Sequence, residues 1–365
     1  MKTGFDNLFE GLRNENLYRT YALFTEKKTE WFKAFTEHFK ALCTDIVNMQ
    51  NSSAIQSVSY LDYTMLYTNF INQRYTAEIW LYGDDWYCDK KQQIVGEYDL
   101  SFLFIYFDEL WKKLLFLRKR FVGSVSAMEI KSLVLQSLPD FYSFFISIVR
   151  FAIRDSLDKK PFIDIIKNDD FRICVGDYMA NTEMVFVESK KKDAEAKAIS
   201  FEKQHDFTFK DYSCLDFSGH SLTFLEFSYS HFNCSCFSNG TLEGSDLTGT
   251  NFRKAQMENC CFDDCSIYEA DYSYAMLKKA SFINVLGSAG FLNKKELQHV
   301  AFLPTSFRYA ELTNSDFRCS DLTGADFTGA ILCGADFTDA VLDGADFTDA
   351  VLDGAIFNDG INRKN

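Results

Sequence analysis

Residues 325–349 read ADFTG-AILCG-ADFTD-AVLDG-ADFTD, and this stretch decides the fold of the C-terminal half. A large apolar residue recurs at every fifth position, and alanine stands two positions before it. The same spacing runs from Phe207 to Phe357, where 30 of 31 such positions carry Phe, Leu, Tyr, Met or Ile; Gly287 is the exception. Neither a helix nor a strand has a period of five residues. The period therefore predicts an array of short repeats.

This pattern resembles the pentapeptide-repeat family, whose motif is A(D/N)LXX. The resemblance implies a right-handed quadrilateral β-helix with four pentapeptides per coil, and about eight coils over residues 205–360. Its large residues would fill the interior, and its small residues would point inward where a larger side chain would collide. Phe and Leu alternate from Phe317 to Phe357. Four faces would then stack residues 20 apart, which predicts an aromatic ladder of Phe317, Phe337 and Phe357.

The pattern falters over residues 286–304. Leu292, Leu297 and Phe302 keep the period, but residues 293–303 are typical of a short helix that ends at Pro304. We expect one coil to be replaced by, or to carry, a loop with this helix. The loop is either an irregularity of the family or a projecting binding loop. The residues proposed for such a binding loop are Asn293, Lys294, Lys295 and Glu296.

Residues 1–200 show no period of five and indicate a mainly α-helical domain of unknown function, which makes the chain an α+β multidomain protein. Apolar spacing predicts helices over residues 14–50, 59–74, 101–121, 126–138 and 140–158. Residues 77–89 indicate a hairpin turning at Gly83-Asp84, and residues 171–175 and 184–187 indicate strands. The charged stretch 190–203 is predicted to lead into the first coil and cover its edge.

The chain has 365 residues and a net charge of −14, of which −12 falls in residues 201–365. A surface of that sign repels phosphate, so we expect no direct nucleic-acid binding and instead a protein partner with a basic surface. Charged residues interrupt the longest apolar stretches, which argues against a membrane span. The N-terminus has no apolar signal-like core, and 11 cysteines do not suggest a disulfide framework. We expect a bacterial cytoplasmic protein, with delivery into a host cell as an effector as the alternative.

Motifs of catalysis are missing: the sequence has no GxGxxG, Walker, GxSxG or HExxH pattern. We therefore expect no enzyme, although an activity within residues 1–200 stays an open alternative. Cys260 and Cys265 fall on the small inward position of the repeat, so neither a metal nor a cofactor is expected.

Aspartates of the last coils form the candidate binding site. Asp316 and Asp336 should stack on one face, and Asp326 and Asp346 on the opposite face. Between Tyr309 and Gly360 there are 11 acidic residues and one basic residue, Arg318. The remaining candidates on this acidic surface are Asp321, Asp339, Asp343, Asp349 and Asp353.

Two functions could use these carboxylates. The first is an adaptor that docks a basic protein on a rigid acidic rod. The second follows from the resemblance, because some family members mimic duplex DNA and dock into DNA gyrase. The plain alternative is that aspartate is the usual residue of the motif and keeps the rod soluble. A homodimer through the C-terminal coil is a further hypothesis, because only the short tail GINRKN follows Phe357.

Overall fold

Helices and a mixed sheet make up the N-terminal half of the computed structural model, and the five-residue repeats make up the other half. The structure describes residues 2–88, 92–121, 125–178, 182–191, 207–291 and 300–358. It divides into two units, Met1–Glu188 (the N-terminal unit) and Ser189–Asn365 (the repeat unit).

Five helices belong to the described part of the N-terminal unit. They are α1 (Lys2–Asn51), α2 (Tyr67–Ile71), α3 (Ile105–Leu117), α4 (Ala127–Gln136) and α5 (Leu138–Ala152). Ser126 caps α4 in a reciprocal arrangement: its hydroxyl accepts from Glu129 N, and the Glu129 carboxylate accepts from Ser126 N. Pro139 lies in the first turn of α5, where its missing N–H costs no hydrogen bond.

The strands of this unit form one five-stranded sheet of order β3-β2-β1-β4-β5. Their bounds are β1 (Val58–Met65), β2 (Thr76–Tyr82), β3 (Gln93–Asp99), β4 (Lys167–Asp177) and β5 (Thr182–Ser189). The central strand β1 pairs antiparallel with β2 and parallel with β4.

An aromatic core joins α1 and α5 to one side of the sheet. Phe35 of α1 lies 5.3 Å from Tyr63 of β1 and 6.0 Å from Phe145 of α5, measured between ring centroids. All three side chains are fully buried. Burying rings of this size is the main stabilising contribution that such a core makes.

Two predictions for this unit are wrong in detail. Residues 59–74 are β1 followed by the short α2, because β1 is hydrogen-bonded to a strand on each side. The predicted hairpin has β2 as its first arm, but its second arm begins at Gln93 and does not follow directly after Gly83-Asp84. Its connection includes a 3-10 turn at Trp86–Cys88.

One stretch of the described residues, Ala127–Ser156, is long and apolar enough to cross a membrane by length and composition alone. It covers α4 and α5, and 61% of its most apolar window is buried inside the protein. Such burial is typical of a core helix.

Parallel bridges define the repeat unit. Asp211 bridges to His231 and Asp336 to Ile356, so each bridge joins residues 20 apart. Phe317 N donates to the carbonyl of Asp336 at 2.7 Å, which follows the same spacing. One coil therefore takes four pentapeptides, and the repeat unit is a β-helix.

The large residues of the repeat fill the interior, as predicted. Phe317, Phe337 and Phe357 stack with ring centroids 4.9 and 5.1 Å apart. Phe327 and Phe347 belong to a second ladder at 4.9 Å. The two ladders meet edge to face, since Phe317 and Phe327 are 5.7 Å apart at 85°. Stacked identical rings leave little empty space, as close packing requires.

The interruption is an insertion that keeps the period. Asp271 bridges to Ser306, a separation of 35 residues instead of 20, so 15 residues are added to this coil. Two short strands, β6 (Gly290–Phe291) and β7 (Val300–Ala301), pair antiparallel at its base. The predicted helix over 293–303 therefore does not reach Leu303, because Val300 and Ala301 are paired as strand. Its earlier part, residues 292–299, lies outside the described residues.

Candidate functional site

Four columns of bridging residues run along the repeat unit, one for each pentapeptide of a coil. The second column contains Asp211, His231, Asn251, Asp271, Ser306, Asp326 and Asp346, and the fourth contains Ser221, Thr241, Cys261, Ser281, Asp316, Asp336 and Ile356. Because each coil visits the columns in order, the second and fourth lie on opposite sides of the coil. Asp326 is next to Asp346, and Asp316 is next to Asp336, as the 20-residue spacing predicts.

Each of these columns places carboxylates at the spacing of neighbouring coils, about 4.8 Å. Asp336 and Asp346 each use Oδ1 in a turn of their own backbone. Oδ1 of Asp336 accepts from Thr338 N at 2.9 Å and from Thr338 Oγ1 at 2.5 Å. Oδ1 of Asp346 accepts from Thr348 in the same way, at 2.9 and 2.6 Å. The aspartates thus stabilise the turns they begin, which is a structural role of the Asp-X-Thr pattern.

These hydrogen bonds also affect ionisation. The bonds from the Thr348 hydroxyl and N–H lower the pKa of Asp346 below its usual value. Burial opposes a similar change at Asp316, but hydrogen bonds from Arg318 overcome it and lower the pKa of Asp316. Both carboxylates therefore carry their charge at neutral pH.

Arginines neutralise the inner member of each aspartate pair. Arg318 lies 2.7 Å from Asp316, and Arg308 lies 3.0 Å from Asp326. Arg308 escaped the sequence analysis because it stands one residue before the interval in which charges were compared. The uncompensated charge of the two columns is therefore concentrated on Asp336 and Asp346 in the last coils.

The other predicted aspartates surround these columns. Asp321 belongs to the first column and accepts from Thr323 N and Oγ1 at 3.1 and 2.8 Å. The remaining four are exposed turn residues: Asp339, Asp343, Asp349 and Asp353. Asp339 and Asp349 have positive φ angles of 59° and 58°. The proposed loop residues Asn293, Lys294, Lys295 and Glu296 lie outside the described part of the chain.

The cysteines occupy the positions that the repeat assigns to them. Cys260 and Cys265 are buried at the small inward position, and burial raises the pKa of Cys265 to about 12. The Cys265 thiol donates to the Leu242 carbonyl, with Sγ and O 3.1 Å apart. Among the described residues, no three His, Cys, Asp or Glu side chains are grouped to hold a metal.

The N-terminal unit has an open cleft of about 890 Å³. Its lining residues are Ser53, Ala54, Ile55, Gln56, Ser57, Val58, Leu81, Tyr82, Gly83, Asp84, Asp85, Gln92, Gln93 and Asn168. Asp84 accepts hydrogen bonds there from Asn168, at 2.9 Å, and from Ser59. A cleft so exposed does not exclude water from a reacting group.

The bridge pattern and filled interior define a β-helical repeat protein joined to a helical and mixed-sheet unit. The family model for pentapeptide repeats matches residues 230–267, 305–332 and 320–359, with eight copies. The C-terminal region of this chain is a pentapeptide-repeat region.

Similar solved structures include a trypsin-treated variant of QnrB1, described as a plasmid-mediated fluoroquinolone resistance protein. It is 16% identical, and the match covers 42% of this chain and 72% of that one at a TM-score of 0.27. HetL, a pentapeptide repeat protein involved in heterocyst differentiation regulation from Nostoc sp. strain PCC 7120, is 19% identical. Its match covers 46% of this chain and 97% of HetL at a TM-score of 0.16. A comparison with curated proteins gave no match.

Proposed function

We propose that the chain is a non-catalytic binding protein whose repeat unit docks a protein partner with a basic surface. The observation that carries this proposal is the pair of aspartate columns that end in Asp336 and Asp346, on opposite sides of one rigid coil stack. Arginines compensate only their inner neighbours. A stack of hydrogen-bonded coils holds these charges at fixed spacing, so little entropy is lost when a partner binds.

A salt series tests the electrostatic part of this proposal. The immobilised protein is incubated with a bacterial lysate at low, physiological and high salt, and the retained proteins are quantified. A partner held by the acidic columns should be lost steeply as salt rises, since exposed charges are then screened. Equal retention at every salt concentration would contradict docking through these carboxylates.

The repeat unit in this proposal is a right-handed quadrilateral β-helix. The 20-residue bridge spacing supports four faces. Removal of the 15 added residues from the repeat leaves seven coils in place of the eight that the unbroken period predicts. The proposed location is the bacterial cytoplasm, and delivery into a host cell is the alternative. All 11 cysteines, none of them in a disulfide, support a reducing compartment.

DNA mimicry is the second candidate function, with DNA gyrase as partner. Carboxylate columns on two opposite sides of the coil favour it, because duplex DNA also presents two phosphate strands. Purified protein is added to a gyrase supercoiling assay over a concentration and salt series. Salt-sensitive inhibition, or protection from a gyrase poison, is the expected result. The absence of any effect would leave the adaptor function.

Dimerisation through the last coil belongs to the same proposal. Ile356 is 50% exposed, and Leu352 and Phe357 are only partly buried at this end. Light scattering at high concentration should give twice the monomer mass, and Ile356→Asp should reduce it. A monomer at every concentration would contradict this contact.

A further inference from the structure

An exposed apolar surface occupies the third column and the turn beside it. Met276, Ile331 and Val351 are bridging residues of this column, 43%, 39% and 42% exposed. Tyr274 and Tyr309, two residues before the column, are 47% and 48% exposed. We call these five residues the apolar stripe. Soluble proteins rarely leave so many large apolar side chains together in water unless a partner covers them.

The members of the stripe are in register on four successive coils. Met276 bridges to Glu311, Glu311 to Ile331, and Ile331 to Val351. The rings of Tyr274 and Tyr309 are stacked at 5.2 Å. At coil spacing the stripe is about 15 Å long, which corresponds to about ten residues of α-helix.

A glycine in the next coil lets the stripe continue. A Cβ atom on Gly329 would lie 2.4 Å from Cε1 of Tyr309, so the tyrosine ring covers the space that a side chain at this position would need. Gly329 also has a φ of +66°, which glycine adopts without strain. The apolar surface therefore passes from Tyr309 over the backbone of Gly329 toward Ile331.

The margins of the stripe are mainly acidic. Glu311 lies within the third column, and Asp349 and Asp353 are exposed turn residues beside Val351. Arg308 stands over the Tyr309 ring at 5.7 Å, but it is ion-paired with Asp326. A partner that covers the stripe must therefore bring apolar side chains to its centre and positive charge to its edges.

We propose that the apolar stripe binds an amphipathic helix that has an apolar side and lysine or arginine on its flanks. The inference rests on the proposed docking function and names the chemistry of the partner. It also separates the protein from a pure DNA mimic, whose surface would need only negative charge. A helix places apolar residues at three- to four-residue spacing along one side, which matches a straight stripe of this length.

The probe is a synthetic peptide of leucine and lysine in amphipathic helical order, and its control has the same composition in scrambled order. Fluorescence anisotropy should show at least about tenfold tighter binding of the ordered peptide. Equal affinities would overturn the proposal, because charge alone would then explain binding.

Variants locate the binding site. Ile331→Asp with Val351→Asp adds two negative charges to the stripe, so electrostatic binding of the peptide should tighten. The proposal expects binding about tenfold weaker, because apolar contact is lost. Leu286→Asp with Val341→Asp is the matched control, since both residues are exposed bridging residues of the first column, 46% and 47%. Equal affinities of the two variants would overturn the assignment.

Folding and self-association are checked on the same variants. Aspartate already occupies the bridging position in other columns, and Ile331→Thr with Val351→Thr provides a second variant if the first does not fold. Sedimentation velocity tests the other occupant of the stripe. Self-association that the stripe variant abolishes would identify a second copy as the partner and overturn the proposal.

The inference and the proposed function fail separately. If Asp336→Lys with Asp346→Lys abolishes binding of a basic protein while the stripe variant does not affect the peptide, only the inference fails. If the stripe variant weakens peptide binding and the charge reversal has no effect on the basic protein, only the acidic docking function fails.

Discussion

Gly287 shows how one residue adapts the repeat to its insertion. The period marks this position as an exception, and the structure gives the reason. A Cβ atom there would lie 2.8 Å from Thr305 Oγ1 and 2.9 Å from Ile267 Cγ1. Thr305 occupies the space and lies 2.7 Å from the Ile267 carbonyl. Sequence alone could not predict this, because Thr305 reaches Gly287 only after the 15 added residues leave the coil.

We expect Gly287→Ala to lower the free energy of unfolding of the repeat unit by about 1–3 kcal/mol, because the added methyl group overpacks the interior. Denaturant titration measures the change. Gly96→Ala is the control, since its nearest neighbour, Ile79 Cδ1, would be 3.6 Å from the new Cβ. An unchanged midpoint for Gly287→Ala would contradict the packing described for this coil.

Asp62 is a second residue whose environment differs from its sequence context. It lies on β1, is 1% exposed, and accepts from Trp86 Nε1 at 2.9 Å. Burial raises its pKa from the usual value near 3.8 to about 6, against the opposing effect of the Trp86 and Cys174 hydrogen bonds. The sequence gave no sign of this because residues 59–74 were predicted as a helix, in which Asp62 would not face a sheet.

The stability of the N-terminal unit should therefore depend on pH. Below pH 4 Asp62 is protonated in both states; as pH rises to about 6 the folded state loses a favourable contribution of about 3 kcal/mol. Asp62→Asn stays neutral and should remove this decrease. Unfolding titrations at several pH values between 4 and 7 measure it. A parallel pH dependence of the wild type and the variant would show that Asp62 is not the group responsible.

At the scale of elements, the repeat was predictable and the sheet was not. A five-residue period leaves a mark at every coil, so the stacking of Phe317 on Phe337 follows from the sequence. The helices α1, α3, α4 and α5 also follow from apolar spacing. The strand β1 is different, because its pairing with β4 joins residues more than one hundred positions apart. Local spacing cannot report such a contact.

The insertion gives a prediction about register. Deletion of residues 290–304 removes 15 residues and joins Ala289 to Thr305 with the period of five intact. We expect the β-helix to stay folded, with circular dichroism and cooperative unfolding close to those of the wild type. Deletion of residues 290–303 is the control, because it shifts every later large residue off the interior. That variant should unfold the last coils, and a similar loss in both deletions would contradict an insertion that lies outside the coil.

At the scale of the whole molecule, charge is divided unequally along the chain. The sequence located the excess in residues 201–365, and the structure concentrates it further on Asp336 and Asp346 through the ion pairs of Arg308 and Arg318. The sequence could not show which aspartates are compensated, because Arg308 and Asp326 are 18 residues apart and meet only between neighbouring coils. The partner itself is not written in either pattern.

The most direct test of the central claim compares two charge reversals of equal size. Asp336→Lys with Asp346→Lys changes the acidic columns, and Asp216→Lys with Asp246→Lys changes the same repeat position elsewhere, where Oδ1 also accepts from the residue two positions later. Both variants are used to capture proteins from a bacterial lysate, with quantification against the wild type. The account predicts a basic partner that the first variant loses and the second retains. Equal retention by the two variants would contradict a docking site at these columns.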